Sequence, residues 1–399
     1  MDTVLTAATP EAVGLSAAGL ARVDAALAEL IAEGKLAGAV TLVARHGQVV
    51  HRARLGVKDL ASGEPLADDT IFRIYSMTKP VMAVAMMLLH DQGLWSPDDP
   101  IAKHLPEFAD VRGPAGGSPT RAPTMGELMT HTAGLSYGFD PNDATDAAYI
   151  AAGVWEAPDL GEMMHRIASA PLAYEPGTKW LYSIAMDVQG AIAERLSGQS
   201  LPDFMRERIF APLGMVDTDF FVPAEKLPRL ASLYRASKSR GLVLMDRPFG
   251  GAGDGRRIPR LPSGGGGLFS TADDYARLAQ MLLNKGELGG VRILSPEAVA
   301  LMTANHISEA IMAGGFGVGL QTIRPGFGYG FNGAVFTDPA QAGSRVGRGT
   351  YQWDGAAGTW FWIDPAHDLL FVGLIQLIAP MGGPPVQALT QDLMADAIL

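Results

Sequence analysis

The sequence predicts an α+β fold: an antiparallel sheet flanked by helices, with a mostly helical subdomain set into it. Strand-like segments occur near both ends of the chain and helical segments crowd its middle. A chain of 399 residues is also too long for one small core. With 48% hydrophobic and 18% charged residues, there are ample apolar side chains to fill such a body.

Residues 17–32 carry helical periodicity, with Gly34 standing just after as a stop. Segments 39–45 and 48–53 read as two strands joined at His46-Gly47. The apolar run from Val81 to Leu89 is long enough for a buried helix. Beyond Asp91 the texture changes: 124–131, 159–170, 184–197 and 202–213 look helical, separated by loops rich in Gly, Pro and Asp. Segment 235–267 lacks periodicity and reads as one long loop, a length often tied to function. Helices at 271–284 and 295–304 follow, then strands near 315–323, 346–353, 358–363 and 368–376, and a closing helix at 386–397. The expected organisation is an α/β subdomain from 1–92 and 268–399, with 93–267 as the mostly helical subdomain.

Several function classes fall away on composition. A net charge of −11 opposes a nucleic-acid or anionic-membrane partner, because a phosphate backbone needs a basic surface. The absence of cysteine removes disulfides, thiolate metal sites and a cysteine nucleophile together. No apolar run approaches a membrane span, and Met1-Asp2-Thr3 carries an acid where a secretory signal has lysine or arginine, so a cytoplasmic location is expected. There is no H-E-x-x-H, no phosphate-binding G-x-x-x-x-G-K-[ST] and no G-x-G-x-x-G between a strand and a helix. Neither a metal nor another cofactor is expected.

The chemistry concentrates at Ser76, the only serine with a lysine three residues on. Pro80 fits only the first turn of a helix, so the helix begins close to Ser76 and brings the Lys79 amine onto the same face as the hydroxyl. A hydroxyl beside an amine is a nucleophile–base pair, and a helix start offers N–H groups to an oxyanion. The bland reading of the pair is a helix-capping serine and a solvated lysine. Gly134-Leu135-Ser136-Tyr137-Gly138 matches the nucleophile-elbow pattern, but a helix precedes it and a loop follows, the wrong context on both sides. His131, between two threonines at a helix end, reads as a hydrogen-bonded structural histidine. Two later segments are candidate partners of Ser76. Tyr182 stands where a loop enters a helix, and a nearby ammonium would lower its phenol toward proton shuttling. Trp353-Asp354-Gly355 ends a late strand, and its glycine permits a backbone N–H to approach a ligand closely.

The order Ser76-x-x-Lys79, Tyr182-Ser183-Ile184, Trp353-Asp354-Gly355 resembles the class C β-lactamase-like serine hydrolases, and most of all the family VIII bacterial carboxylesterases. The likeness runs over nearly the whole chain, through Leu128-Met129-Thr130-His131-Thr132-Ala133-Gly134-Leu135, Tyr174-Glu175-Pro176-Gly177, Ala211-Pro212-Leu213-Gly214-Met215 and Ser263-Gly264-Gly265-Gly266. The resemblance implies a β-lactamase/transpeptidase-like fold. It implies Ser76 as the nucleophile of an acyl-enzyme, Lys79 and Tyr182 as its proton-transfer pair with either as formal base, and the N–H groups of Ser76 and Ala356 as the oxyanion hole.

Two departures bear on substrate. Ile184 stands where β-lactamases and DD-peptidases carry an asparagine for the substrate amide, and Trp353 where they carry a lysine for its carboxylate. Both favour a neutral ester, with Trp353, Gly355, Tyr137, Phe139 and Trp180 as candidate pocket residues. The expected activity is therefore a carboxylesterase for short to medium acyl esters, acting on a small-molecule substrate, with weak cephalosporin hydrolysis as a possible side reaction. A β-lactamase or DD-peptidase, an acyltransferase and a non-catalytic binding protein are the alternatives.

Overall fold

In the strand Gly38–Arg45, Val40, Leu42 and Ala44 point into one apolar cluster, while Ala39 and Val43 point into another. A strand apolar on both faces is built to lie inside a sheet covered on both sides. The computed structural model describes residues 5–114, 116–119, 121–245, 253–313, 316–318, 321–323, 325–379 and 382–399. Its central sheet has eight strands: β1 (Thr6–Ala7), β2 (Gly38–Arg45), β3 (Gln48–Gly56), β4 (Phe327–Tyr329), β5 (Ala334–Phe336), β6 (Tyr351–Asp354), β7 (Trp360–Asp364) and β8 (Leu369–Leu374), in the order β1-β3-β2-β8-β7-β6-β5-β4. All neighbours are antiparallel except β1, which runs parallel to β3. This is the expected α+β architecture, and the β2–β8 pairing joins the two ends of the chain.

Register decides which side chains share a face. Phe371 lies opposite both Val43 and Trp362, and all three face one cluster; Val372 lies opposite Leu42 and Phe361 in the other. The first face is covered by helix α1 (Ala17–Ala32) and the C-terminal helix α5 (Val386–Ala395), which pack on each other. The second is covered by α4 (Ala272–Leu283), beyond which lie α2 (Thr78–Asp91) and α3 (Ala185–Ser197), packed together. Every residue of α2 from Thr78 to Leu89 is buried, as the apolar run requires. Among the described residues no helix is long and apolar enough to cross a membrane.

Some readings need correction. Within 235–267, Tyr234–Ser237 and Gly241–Leu244 form a hairpin, joined in parallel by Leu377–Ile378; residues 246–252 lie outside the described residues. The strand expected from 346 starts only at Tyr351, since Gly349 takes a φ of 84° and the Gly347 N–H turns aside to the Asp364 carboxylate. Of the strand expected at 315–323, Phe316–Val318 and Gln321–Ile323 pair as a separate hairpin, and residues 315, 319 and 320 lie outside the described residues. Strands β4 and β5 and the helix Ala144–Ala152 have no counterpart in the sequence reading.

Candidate active site

Local pairing fixes the serine. Phe72–Arg73 forms a two-residue ladder with Phe269–Ser270. Ile74 N–H then donates to Leu268 O at 3.1 Å, and Leu268 N–H to Thr78 Oγ1 at 3.1 Å. The chain turns at Tyr75, whose φ of 43° is a left-handed conformation unusual for a large side chain and held by this stitching. Ser76 sits in the short 3₁₀ turn Tyr75–Met77, and α2 begins at Thr78. Pro80 is the third residue of that helix, where its missing N–H leaves no bond unmade.

The structure brings Ser76, Lys79 and Tyr182 together. Ser76 Oγ lies 2.6 Å from Tyr182 Oη, and Lys79 Nζ donates to Ser76 Oγ at 3.2 Å. The amine also donates to Gly265 O at 2.6 Å and reaches Tyr137 Oη at 3.5 Å. Lys79 is fully buried; desolvation pushes its pKa down to about 7, against the opposing pull of the Asp187 and Asp354 carboxylates. Tyr182 moves opposite to expectation. Burial raises its pKa, outweighing the hydrogen bond from Ser76, and the ammonium stands over the ring face, 4.4 Å from its centroid, instead of beside the hydroxyl.

The turn between β6 and β7 closes the other side. Gly355 N–H donates to Thr359 O at 2.7 Å and Gly358 N–H to Gly355 O at 2.8 Å. A β-carbon at Gly355 would stand 2.3 Å from Ile74 O and 2.4 Å from Thr359 Oγ1, so only glycine lets the turn press against the chain two residues before Ser76. Ala356 lines the cleft with Ser76, and its N–H makes no hydrogen bond to any described residue.

The cleft has a volume of about 1160 Å³, and its aromatic wall includes Tyr137, Phe139, Trp155 and Phe336. Phe139 is 72% exposed at the rim and stacks on Tyr137, whose ring stacks in turn on Tyr182 and Trp155. The two other aromatic pocket candidates are not on the wall. Trp353 and Trp180 are 1% and 8% exposed, and both pack behind Tyr182 against Tyr329. Strand parity explains Trp353: Gln352 and Asp354 line the cleft, so Trp353 points to the opposite face with Tyr351.

Trp155 was missed by sequence reading, as were the groups that hold this wall. The buried Asp146 carboxylate accepts the N–H groups of Gly138, Phe139 and Asp140 at 2.7, 3.0 and 2.8 Å, and Trp155 Nε1 donates to Tyr137 O at 3.2 Å. Replacing Asp146 by alanine is expected to lower stability by about 1.5–3 kcal/mol, the range for hydrogen bonds to a charged group. On the ester activity expected from the sequence, it should also raise KM more than it lowers kcat, since Ser76 and Lys79 are untouched. Denaturant titration and steady-state kinetics read the two effects.

Beneath the site, Asn332 Nδ2 donates to Lys79 O at 3.1 Å and to Gln189 Oε1 at 2.7 Å, tying α2 and α3 to the sheet. His131 accepts the Ser183 N–H at Nδ1 (3.2 Å), and burial pushes its pKa well down, so it stands as a neutral ring behind Tyr182. Ser136 is buried in the loop after the helix Met125–Met129, with no strand-to-helix elbow around it. Among the described residues no three His, Asp or Glu side chains gather as a metal site.

A mixed sheet flanked by helices, with a buried lysine in contact with a half-buried serine that also meets a half-buried tyrosine, defines a β-lactamase-fold protein of the serine-hydrolase superfamily. Residues 23–389 match the Beta-lactamase family model, and the chain belongs to that family. It is 37% identical to Protein Rv1367c of Mycobacterium tuberculosis, over 88% of this chain and 89% of that one. It is 36% identical to Esterase EstB of Burkholderia gladioli, over 97% and 98%. Among solved structures it is similar to EstCE1, described as a hydrolase with promiscuous acyltransferase activity, with a TM-score of 0.80, 28% identity and coverage of 95% and 98%.

Proposed function

We propose that this protein is a serine carboxylesterase of family VIII type that cleaves neutral short to medium acyl esters through an acyl-Ser76 intermediate. The observation that carries the reading is the contact of Ser76 Oγ with both Tyr182 Oη and the buried Lys79 amine. With its pKa near 7, Lys79 is the group able to be neutral and take the Ser76 proton, whereas Tyr182, pushed up by burial, stays a phenol. Oγ bonds to the acyl carbon, the carbonyl oxygen becomes an oxyanion held by the N–H groups of Ser76 and Ala356, and its collapse expels the alkoxide. Tyr182, hydrogen-bonded to Oγ, relays the proton: its hydroxyl gives one to that alkoxide and takes the one held by Lys79, so both residues end as they began. Water repeats the sequence on the acyl-enzyme.

The relationship to an esterase supports ester chemistry, and so do the residues at the two departures. Ile184 is fully buried and has no amide to offer, and Trp353 brings no cation to the cleft. A base with a pKa of about 7 must lose its proton to act, so kcat/KM is expected to fall as pH drops below about 7, tenfold per unit for one proton. A pH–rate profile on a non-ionising ester checks it.

Turnover of p-nitrophenyl butyrate and a chromogenic cephalosporin, side by side in wild type and Ser76→Ala, tests the function. Strong ester turnover, little or no cephalosporin turnover and loss of both in the variant are expected. Full esterase activity in Ser76→Ala would sink the assignment. The size of the cleft favours one second reading, transfer of the acyl group to another alcohol, since 1160 Å³ exceeds the need of a short acyl chain. An added alcohol that raises the rate and appears as a new ester would establish transfer; release of free acid alone would leave hydrolysis.

A further inference from the structure

Asp187 is a fully buried carboxylate on α3, five residues beyond Tyr182, with no part in the steps above. Its Oδ1 accepts the Ser263 hydroxyl at 2.6 Å, while Oδ2 has no hydrogen-bond partner among the described residues. A carboxylate left half-satisfied in the interior is costly unless a charge nearby compensates it. The geometry around Gly265 shows where that charge is. A β-carbon built on Gly265 would lie 2.9 Å from Asp187 Oδ2, 2.9 Å from Tyr137 Oη and 3.6 Å from Lys79 Nζ. The carboxylate oxygen, the phenol and the amine therefore converge on the same bare Cα. Gly265, inside the run Ser263-Gly264-Gly265-Gly266, is buried and closely approached.

Lys79 makes no direct ion pair with Asp187: its hydrogen bonds go to Gly265 O, Ser76 Oγ and Tyr137 Oη, all of them uncharged. When Lys79 accepts the Ser76 proton, the Oγ–H bond breaks, Oγ bonds to the acyl carbon, and a full positive charge appears on Nζ in a desolvated place. We propose that Asp187 is the counter-ion for that ammonium, acting across the gap that Gly265 leaves open. It touches neither substrate nor reacting atoms, so it is a positioning residue, and the proposal rests on the reading of Ser76 as nucleophile. The mutual influence of the two groups agrees: the Asp187 charge pulls the Lys79 pKa up, and the Lys79 charge pulls that of Asp187 down against the rise that burial imposes.

The other titratable groups around the pair are Tyr137 beside the amine, Tyr182 on the serine, Asp354 on β6 and His131 behind Tyr182. All are unaltered in an Asp187 variant, so a change in pH dependence belongs to Asp187. The test is the rate at which a fluorophosphonate labels Ser76, followed by mass spectrometry of the labelled peptide, as a function of pH. In Asp187→Asn, which keeps the shape but not the charge, the pH of half-maximal labelling is expected to fall by about one unit, the lower end for loss of an opposite charge. The plateau rate is expected to fall about tenfold, because one unit of pKa is a factor of ten between the two charge states of Lys79.

An unmoved half-maximal pH in a folded Asp187→Asn protein overturns the proposal, whatever the plateau does. If that variant fails to fold, Ser263→Ala decides. It takes away the donor that favours the ionised carboxylate and must move the half-maximal pH the same way by less; no movement overturns the proposal. Absence of label on Ser76 in wild type at every pH would instead refute the esterase reading, and this one with it.

Discussion

Replacing Lys79 by methionine is expected to lower ester turnover by about 10²–10⁴, the contribution of a positioned general base. The side chain is entirely enclosed, so a residue of similar length and volume preserves packing while deleting the amine. The loss that remains structural is the bond to Gly265 O, a buried acceptor then left without its donor, at a cost of about 1–3 kcal/mol. Two readouts separate chemistry from damage. The unfolding transition should remain cooperative, and the residual rate should no longer fall through pH 7, because the group that titrates there is gone. A residual rate with the wild-type pH profile would assign that titration to another residue.

Gly355→Ala is the second large effect, and it acts without touching a polar side chain. The new methyl would collide with Ile74 O at 2.3 Å and Thr359 Oγ1 at 2.4 Å. The first is backbone, already bonded to Met77 N–H at 3.0 Å and the Thr359 hydroxyl at 3.2 Å, so it has little freedom to retreat. Relief must come from moving the Gly355–Gly358 turn or the peptides before Ser76, and each carries one of the two proposed oxyanion donors. Losing one donor lowers kcat by about 10²–10³. Overpacking adds a stability loss of about 1–3 kcal/mol. A folded Gly355→Ala enzyme with kcat near wild type would place the oxyanion elsewhere.

What sequence could and could not foretell follows from the range of each signal. The Ser76-x-x-Lys79 pair is local: three residues on one face, beside a proline that admits only a helix start, leave little freedom for the geometry. Helix α1 was legible for the same reason, since its periodicity and the glycine beyond it are contained in one segment. Strands β4 and β5 are three residues each, too short to show alternation, and exist because β6 offers an edge. Trp155 and Asn332 act through contacts between separate segments, and Asp146 folds back on a loop six to eight residues before it; no periodic pattern records any of these. Trp353 was misplaced for another reason. Alternation along Tyr351–Asp354 puts it on the face of Tyr351, away from Gln352 and Asp354, and the motif reading did not apply that parity. Tyr182 shows the limit for pKa: the sequence announces an ammonium nearby but not that it lies over the ring, nor that burial dominates.

The most direct test of Ser76 as the site of covalent chemistry is to quench the enzyme during turnover of a slowly deacylating ester and map the acyl group by peptide mass spectrometry. The predicted result is one acyl group on the peptide containing Ser76, absent from Ser76→Ala. Acylation of the Ser136 peptide, or continued turnover in Ser76→Ala with acyl carried on another side chain, would contradict it.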